Sequence, residues 1–129
     1  MALASVNYIN QALNALDASG TPTNLAAFVS LHVGSPGSPV LGAAGANENA
    51  NTGSYARQAC TWNAASGGTK TNSSALTFTT AGTVAVTHFG TSSVVTYNTG
   101  PFGIGGALTS SVTAVTITVA AGALTISAT

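Results

Sequence analysis

The chain is 129 residues long, which is enough for one hydrophobic core and too short for two domains of ordinary size. Charged residues make up 3% of it, and Asp17, Glu48, Arg57 and Lys70 cancel to a net charge of zero. Two basic residues cannot form a phosphate-binding face or a polybasic membrane anchor. We therefore expect neither nucleic acid nor a membrane as a partner. No stretch approaches the ~20 uninterrupted apolar residues that span a bilayer.

Residues 2–16 predict the chain's single helix. Apolar side chains recur there at steps of three and four and form one stripe, whose members are Leu3, Val6, Ile9, Leu13 and Leu16. Gly20 and Pro22 end the helix. The segment has no positively charged start, so we do not expect a secretory signal. We therefore divide the chain into an N-terminal helix and linker, residues 1–22, and a β domain, residues 23–129.

From Leu25 onward, apolar residues alternate with Thr and Ser, which is typical of strands with one buried face. The segment "LAAFVSLHVG" predicts a first strand with Phe28 turned inward, and a long Gly-, Pro- and Asn-rich loop follows it. The segment "SYARQACTW" predicts a strand that turns Tyr55 and Arg57 to one face and Cys60 and Trp62 to the other.

The second half of the chain predicts short strands broken by Gly and Asn. They are "ALTFTT", "TVAVTHFG", "SVVTYN", "ALTSSV", "AVTITVA" and "ALTISAT", with "TGPFGIGG" as a tight loop and "AAG" as a hairpin turn. About eight short antiparallel strands predict a mainly β fold, a single β-sandwich. A jelly-roll-like order is our first topology and an immunoglobulin-like order the second.

Groups that could react or bind a metal do not converge in the sequence. A metal site needs about three or four donors, and His32 and His88 lie on separate predicted strands without acids or cysteines at ligand spacing. The lone Cys60 cannot form an internal disulfide, and we expect a small buried side chain. A Cys60–His hydrolase stays open as an alternative, although no nucleophile motif surrounds the cysteine. We expect no catalytic residues, no metal and no cofactor, and hence no enzyme.

The stretch from Gly45 to Trp62 holds most of the distinctive side chains. Glu48 and Arg57 either pair with each other, or Arg57 reaches a neighbouring subunit together with Tyr55 and Trp62, which are side-chain types favoured at interfaces. Alternatively, Trp62 and a tyrosine, Tyr55 or Tyr97, form a platform for sugar stacking. The candidate subunit-contact residues are Leu3, Val6, Ile9, Leu13, Glu48, Tyr55, Arg57 and Trp62.

Three stretches, "FVSLHVGSPG", "GANENANTGSYARQACTWNAASGG" and "AGALTIS", resemble a family of small structural proteins of tailed bacteriophages, notably phages of actinobacteria. The resemblance covers most of the chain. Members look like a short helix followed by a β-sandwich, and they are described as tail-fibre-like, minor tail or capsid-associated proteins. The resemblance implies that Tyr55, Arg57, Trp62 and the "AASGG" turn are framework, and it carries no catalytic residue. After His88 the chain departs from the pattern, which leaves the exposed tip and its partner open.

We therefore expect a structural virion protein, made in the host cytoplasm, that decorates or stabilises a phage capsid. Its expected partners are the major capsid protein or other virion proteins, and further copies of itself, because an uncharged surface offers little repulsion between copies. A trimer is the favoured oligomer. The capsid surface is favoured over the tail. The alternative is a small tail or tail-fibre component that contacts a host-surface glycan.

Overall fold

The computed structural model describes residues 3–4, 24–37, 43–50 and 53–127. These residues hold seven strands and no helix. The strands are β1 (Leu3–Ala4), β2 (Phe28–His32), β3 (Gln58–Ala59), β4 (Thr69–Thr71), β5 (Leu76–Ser92), β6 (Phe102–Val119) and β7 (Thr125–Ser127). They form a five-stranded sheet of order β1-β6-β5-β2-β3 and a two-stranded sheet of β4 and β7, and every pairing is antiparallel. The prediction of a mainly β, antiparallel fold is confirmed.

The predicted N-terminal helix is not supported. Leu3 and Ala4, its first apolar residues, form the edge strand β1 and pair with Gly105 and Ile104 of β6. The rest of the predicted helix, with Val6, Ile9 and Leu13, lies outside the described residues. Among the residues that are described, none belongs to a helix that could cross a membrane.

The centre of the fold is a long two-stranded ribbon of β5 and β6. Its register shifts between the pairs Thr79–Thr116 and Val84–Ala114, so β5 inserts several residues where β6 has one. The Thr80 hydroxyl, buried in this insertion, donates to the carbonyl of Val115 at 3.0 Å. An insertion of this kind bends a ribbon, because the extra residues leave the ladder of hydrogen bonds.

The ribbon bends enough to bring its two halves over one core. A straight strand from Phe78 to Phe89 would span roughly 36 Å. Yet the Tyr55 ring stacks on Phe78 with centroids 6.3 Å apart, while the Tyr55 hydroxyl accepts a hydrogen bond from the backbone N–H of Leu31 at 2.9 Å. Leu31 in turn pairs with Phe89. Both halves therefore face the same hydrophobic cluster, which includes Val29, Leu31, Phe78, Val86, Phe89, Ile104, Ile117 and Leu124.

Asn72 attaches the two-stranded sheet to one end of the ribbon. Its side chain is fully buried, and its amide donates to the carbonyls of Ser74 and Ala120 at 2.8 and 2.9 Å. Its Oδ1 accepts from the N–H of Leu124 at 2.9 Å. One buried side chain thus satisfies the backbone of two turns.

The predicted jelly-roll sandwich is not confirmed, and four local predictions differ from the structure. The segments "ALTFTT" and "TVAVTHFG" belong to one strand, β5, and "SVVTYN" is a loop. Most of "TGPFGIGG" lies in β6, because its glycines let main chains approach closely. A Cβ on Gly105 would lie 2.6 Å from the carbonyl oxygen of Phe89. Phe28 is half-buried, whereas the other apolar residues of β2, Val29 and Leu31, are fully buried.

Candidate functional site

A buried ion pair joins three loops at one end of the molecule. Arg57 binds Glu48 with two parallel bonds, from Nε to Oε1 at 2.8 Å and from Nη2 to Oε2 at 2.7 Å. The two side chains are only 3% and 1% exposed. The paired geometry matches the planar guanidinium to the carboxylate, which is the strongest form of such a contact. Its burial means that the pair is not the weak, solvent-screened type.

The remaining atoms of this pair hold backbone groups of the loop that connects β5 to β6, residues 93–101. Arg57 Nη1 donates to the carbonyls of Val94 and Thr99, each at 3.0 Å. Glu48 Oε2 accepts from the N–H of Asn98 at 2.9 Å. Asn98 has a positive φ of 49°, so its backbone turns its N–H toward the carboxylate. We call Glu48, Tyr55, Arg57 and these backbone groups the loop clasp.

Tyr55 connects the loop clasp to the core. Its hydroxyl donates to Glu48 Oε1 at 3.2 Å and accepts from Leu31, and its ring meets Tyr97 edge-on with centroids 6.5 Å apart. Burial raises the pKa of Tyr55 far above its usual range, and the nearby Glu48 carboxylate adds to the effect. The hydroxyl therefore stays protonated and remains a donor. In the described part of the chain, no buried side-chain nitrogen or oxygen lacks a hydrogen-bond partner.

His32, at the end of β2, binds the backbone just before Glu48. Its Nδ1 lies 2.6 Å from the carbonyl of Ala46, so this nitrogen carries the proton, and Nε2 accepts from the Ser30 hydroxyl at 2.8 Å. Its ring meets Phe102 edge-on with centroids 6.3 Å apart. Burial lowers the pKa of His32 below its usual value, against the opposing effects of its bond to Ala46 and of nearby Glu48. The imidazole is therefore neutral at neutral pH.

The arrangement offers little reactive chemistry. Burial raises the pKa of the Cys60 thiol to about 11, so the thiol is protonated at neutral pH and is a poor nucleophile. His88 pairs with His32 across β2 and β5, and its Nδ1 lies 2.8 Å from the Thr87 hydroxyl. Throughout the described ranges, no three side chains of His, Cys, Asp or Glu come together as a metal site would require.

Comparison with known proteins decides the family. A family model described as Podophage GP4 fiber I protein gp80 matches residues 4–127. The chain belongs to this family of phage fibre proteins. A search of curated proteins found no match.

Membership in the fibre family supports the resemblance to structural proteins of tailed phages and implies a place in the virion. It favours the tail-fibre alternative over our first expectation of capsid decoration. The match does not bear on actinobacterial hosts, which stay a prediction.

The predicted contact residues fall into three groups in this fibre-family fold. Glu48, Tyr55 and Arg57 come together, as one of our two interpretations of the pair held, but in the interior of their own chain. Trp62 is half-buried, and its indole N–H donates to the carbonyl of Ala26 at 2.8 Å. Leu3 lies on β1 at the sheet edge. The part that any of them plays in subunit contacts stays a prediction.

The structure also bears on the sugar platform, because it separates the aromatic residues by burial. Tyr55 is 2% exposed and faces the core, so it presents no ring to solvent beside Trp62. Tyr97 packs its ring against Tyr55. Sequence reasoning did not place His32 beside the loop clasp or Asn98 within it. The "YNTG" turn offered a signal for Asn98, since asparagine before such a turn tolerates a positive φ.

Proposed function

We propose that the chain is a structural subunit of a phage tail fibre that acts through contacts with other proteins and catalyses no reaction. The observation that carries the proposal is the match of residues 4–127 to the fibre family. This replaces capsid decoration as the leading function. Its partners are further copies of the chain and other virion proteins.

The distribution of charge supports a subunit that is built to be assembled. Of the four formally charged residues, Glu48 and Arg57 neutralise each other in the interior, and Lys70 is exposed on β4. Asp17 lies outside the described residues. The described surface thus carries one formal charge, so neighbouring copies have almost no repulsion to overcome.

The loop clasp supports the same function. It fixes residues 93–101 to two distant segments through two charged side chains, so the end of the molecule is held in one conformation. A pre-formed surface binds a neighbour without losing conformational entropy at that moment. That suits a protein whose work is to occupy one place in an assembly.

Immunogold electron microscopy of purified phage particles tests the proposal. We expect gold-labelled antibody against the chain to decorate the fibres, and mass spectrometry of separated fibres and heads to find the peptides in the fibre fraction. Particles from a phage lacking the coding sequence serve as the matched control. Label confined to heads would return capsid decoration to first place, and absence from virions would refute a structural role altogether.

A further inference from the structure

The outer edge of β6 is long and unpaired in the part of the chain that the structure describes. On one side β6 pairs with β5 in runs separated by three register shifts, but on the other side it pairs, among the described residues, only with β1, at Ile104 and Gly105. From Gly106 to Val119 no described strand lies beside it. Outward-facing N–H and C=O groups on such an edge are a template for another strand.

A second free edge lies on the opposite side of the same ribbon. β2 pairs with β5 only from His88 to Ser92, so Leu76 to Thr87 has no described strand on its outer side. The two edges span residues 76–87 and 106–119 and bend at the register shifts within them. One molecule therefore presents two unpaired edges of similar length on opposite sides.

Neither edge carries the charges or prolines with which proteins block exposed strands, although register shifts interrupt both edges. Edge strands are usually blocked by Lys, by other charges or by Pro. Both free edges, Leu76 to Thr87 and Gly106 to Val119, contain no charged residue and no proline. Apolar side chains at the bend are also incompletely covered: Val115 is 44% exposed, and Val84 and Val112 are half-buried.

We propose that copies of the chain associate by main-chain pairing of the β6 edge of one copy with the β5 edge of the next. This deepens the proposed fibre function by naming the surface through which copies meet. A second copy suits the edge because each copy supplies both a β5 and a β6 edge and brings almost no charge. The chain's own β1 does not serve, since its antiparallel register directs it toward Phe102, away from Gly106. Pairing of unlike edges leaves no edge open where the rotation between copies closes a ring, and it gives an open filament where the rotation does not close.

A charge placed on the ribbon tests the surface. Thr116 of β6 is exposed, and we expect Thr116→Lys to reduce the mass measured by light scattering to that of one chain, 12.5 kDa. Thr125→Lys is the matched control, because Thr125 is equally an exposed strand threonine but lies on β7. Far-UV circular dichroism checks that both variants are folded. A folded Thr116→Lys protein that keeps the wild-type mass overturns the proposal.

Disulfide trapping tests which edges meet. Single cysteines replace exposed threonines in a Cys60→Ala background, at positions Thr113, Thr116 and Thr118 of β6 and Thr77, Thr79 and Thr83 of β5. Each β6 variant is mixed, unfolded and refolded with each β5 variant, then oxidised. We expect disulfide-linked dimers in some of the mixed samples, since the Cα atoms of bridged cysteines lie about 4.4–6.8 Å apart. Cross-links only within β6 variants alone would show like edges pairing and would overturn the proposal.

Hydrogen exchange separates a second copy from other occupants. We expect amides of residues 106–119 that face outward to exchange more slowly in the wild-type assembly than in Thr116→Lys. A wild-type chain that is monomeric yet protects these amides would place another segment of its own chain on the edge and would refute the proposal. Immunogold label absent from fibres, with Thr116→Lys still dissociating the oligomer, would reject the fibre function and leave the pairing intact.

Discussion

Replacing Arg57 with methionine should remove a large part of the stability of the chain. Methionine keeps much of the apolar stem but supplies no donor. Glu48 then loses both guanidinium bonds, and the carbonyls of Val94 and Thr99 lose their donor. Only the Tyr55 hydroxyl and the N–H of Asn98 still face the carboxylate.

The cost follows from the burial of the pair. Removing one partner of a buried ion pair costs about 3–5 kcal/mol, because the other charge is left uncompensated. A solvent-exposed pair would cost about 0–1 kcal/mol. Since Arg57 and Glu48 are 3% and 1% exposed, we expect the larger value. Domains of this size have unfolding free energies of about 5–15 kcal/mol, so the variant sits near the limit of folding.

Urea unfolding followed by the fluorescence of Trp62 measures the change, at one protein concentration so that association contributes equally. Lys70→Met is the matched control, because Lys70 is the other basic residue and is exposed. We expect its effect to stay within about 0.5 kcal/mol. A Glu48→Met variant and the double variant complete a cycle, in which we expect a coupling energy of about 2–3 kcal/mol. Equal effects of Arg57→Met and Lys70→Met, or a coupling below about 1 kcal/mol, would refute the reasoning.

Three further predictions concern burial. The unfolding free energy should fall by up to about 1.4 kcal/mol per pH unit as pH drops below 6.5, because burial lowers the pKa of His32 and the unfolded chain therefore binds the proton more readily. A His32→Gln variant with an equally steep pH profile would contradict this. Gly105→Ala should destabilise by about 1–3 kcal/mol, because its Cβ would lie 2.6 Å from the Phe89 carbonyl, whereas Gly82→Ala, with open space around it, should change stability little; equal melting temperatures would disprove the clash. Native Cys60, with its raised pKa of about 11, should react with a thiol reagent at pH 8 at least about tenfold more slowly than in the urea-unfolded chain, and comparable rates would contradict its burial.

Strands could be predicted from the sequence wherever one face is buried and the other is exposed to solvent. In β5, buried Leu76 and Phe78 alternate with exposed Thr77 and Thr79, and this local pattern needs no knowledge of the rest of the fold. The continuity of β5 could not be predicted, because Gly82 indicates a break. In the structure the Thr80 hydroxyl donates to the carbonyls of Gly82 in the insertion and of Val115 on β6, so the chain bends without ending the strand.

The many glycines of "TGPFGIGG" predicted a loop, but much of this segment is a strand. Gly103 and Gly105 lie within β6, because main chains approach there too closely for a side chain. A Cβ on Gly103 would lie 2.4 Å from the carbonyl oxygen of Leu25. Contacts of this kind depend on which strands become neighbours, and a single sequence does not contain that information.

The pairing of Glu48 with Arg57 was open to prediction because the two residues are near in the chain. Their burial was not, because it depends on Val94 and Thr99, which lie 37 and 42 residues beyond Arg57. The sequence therefore left two interpretations in balance, a pair within the chain and a contact with a neighbour. In the structure, the carbonyls of Val94 and Thr99 accept hydrogen bonds from Nη1 of Arg57, the guanidinium nitrogen that does not bind Glu48.

The position of the charges links stability to assembly. A hydrophobic pair of similar volume at positions 48 and 57 could match the stability of the ion pair, since buried ion pairs bring little net gain. It could not hold the Asn98 N–H and the two carbonyls in place, because those groups need a hydrogen-bond acceptor and donor, which hydrophobic side chains lack. We infer that the ion pair of Glu48 and Arg57 serves to fix the conformation of residues 93–101. With both of these charges in the interior, Lys70 on β4 is the one charged residue on the described surface, and the open edges of β5 and β6 are uncharged, which favours their association.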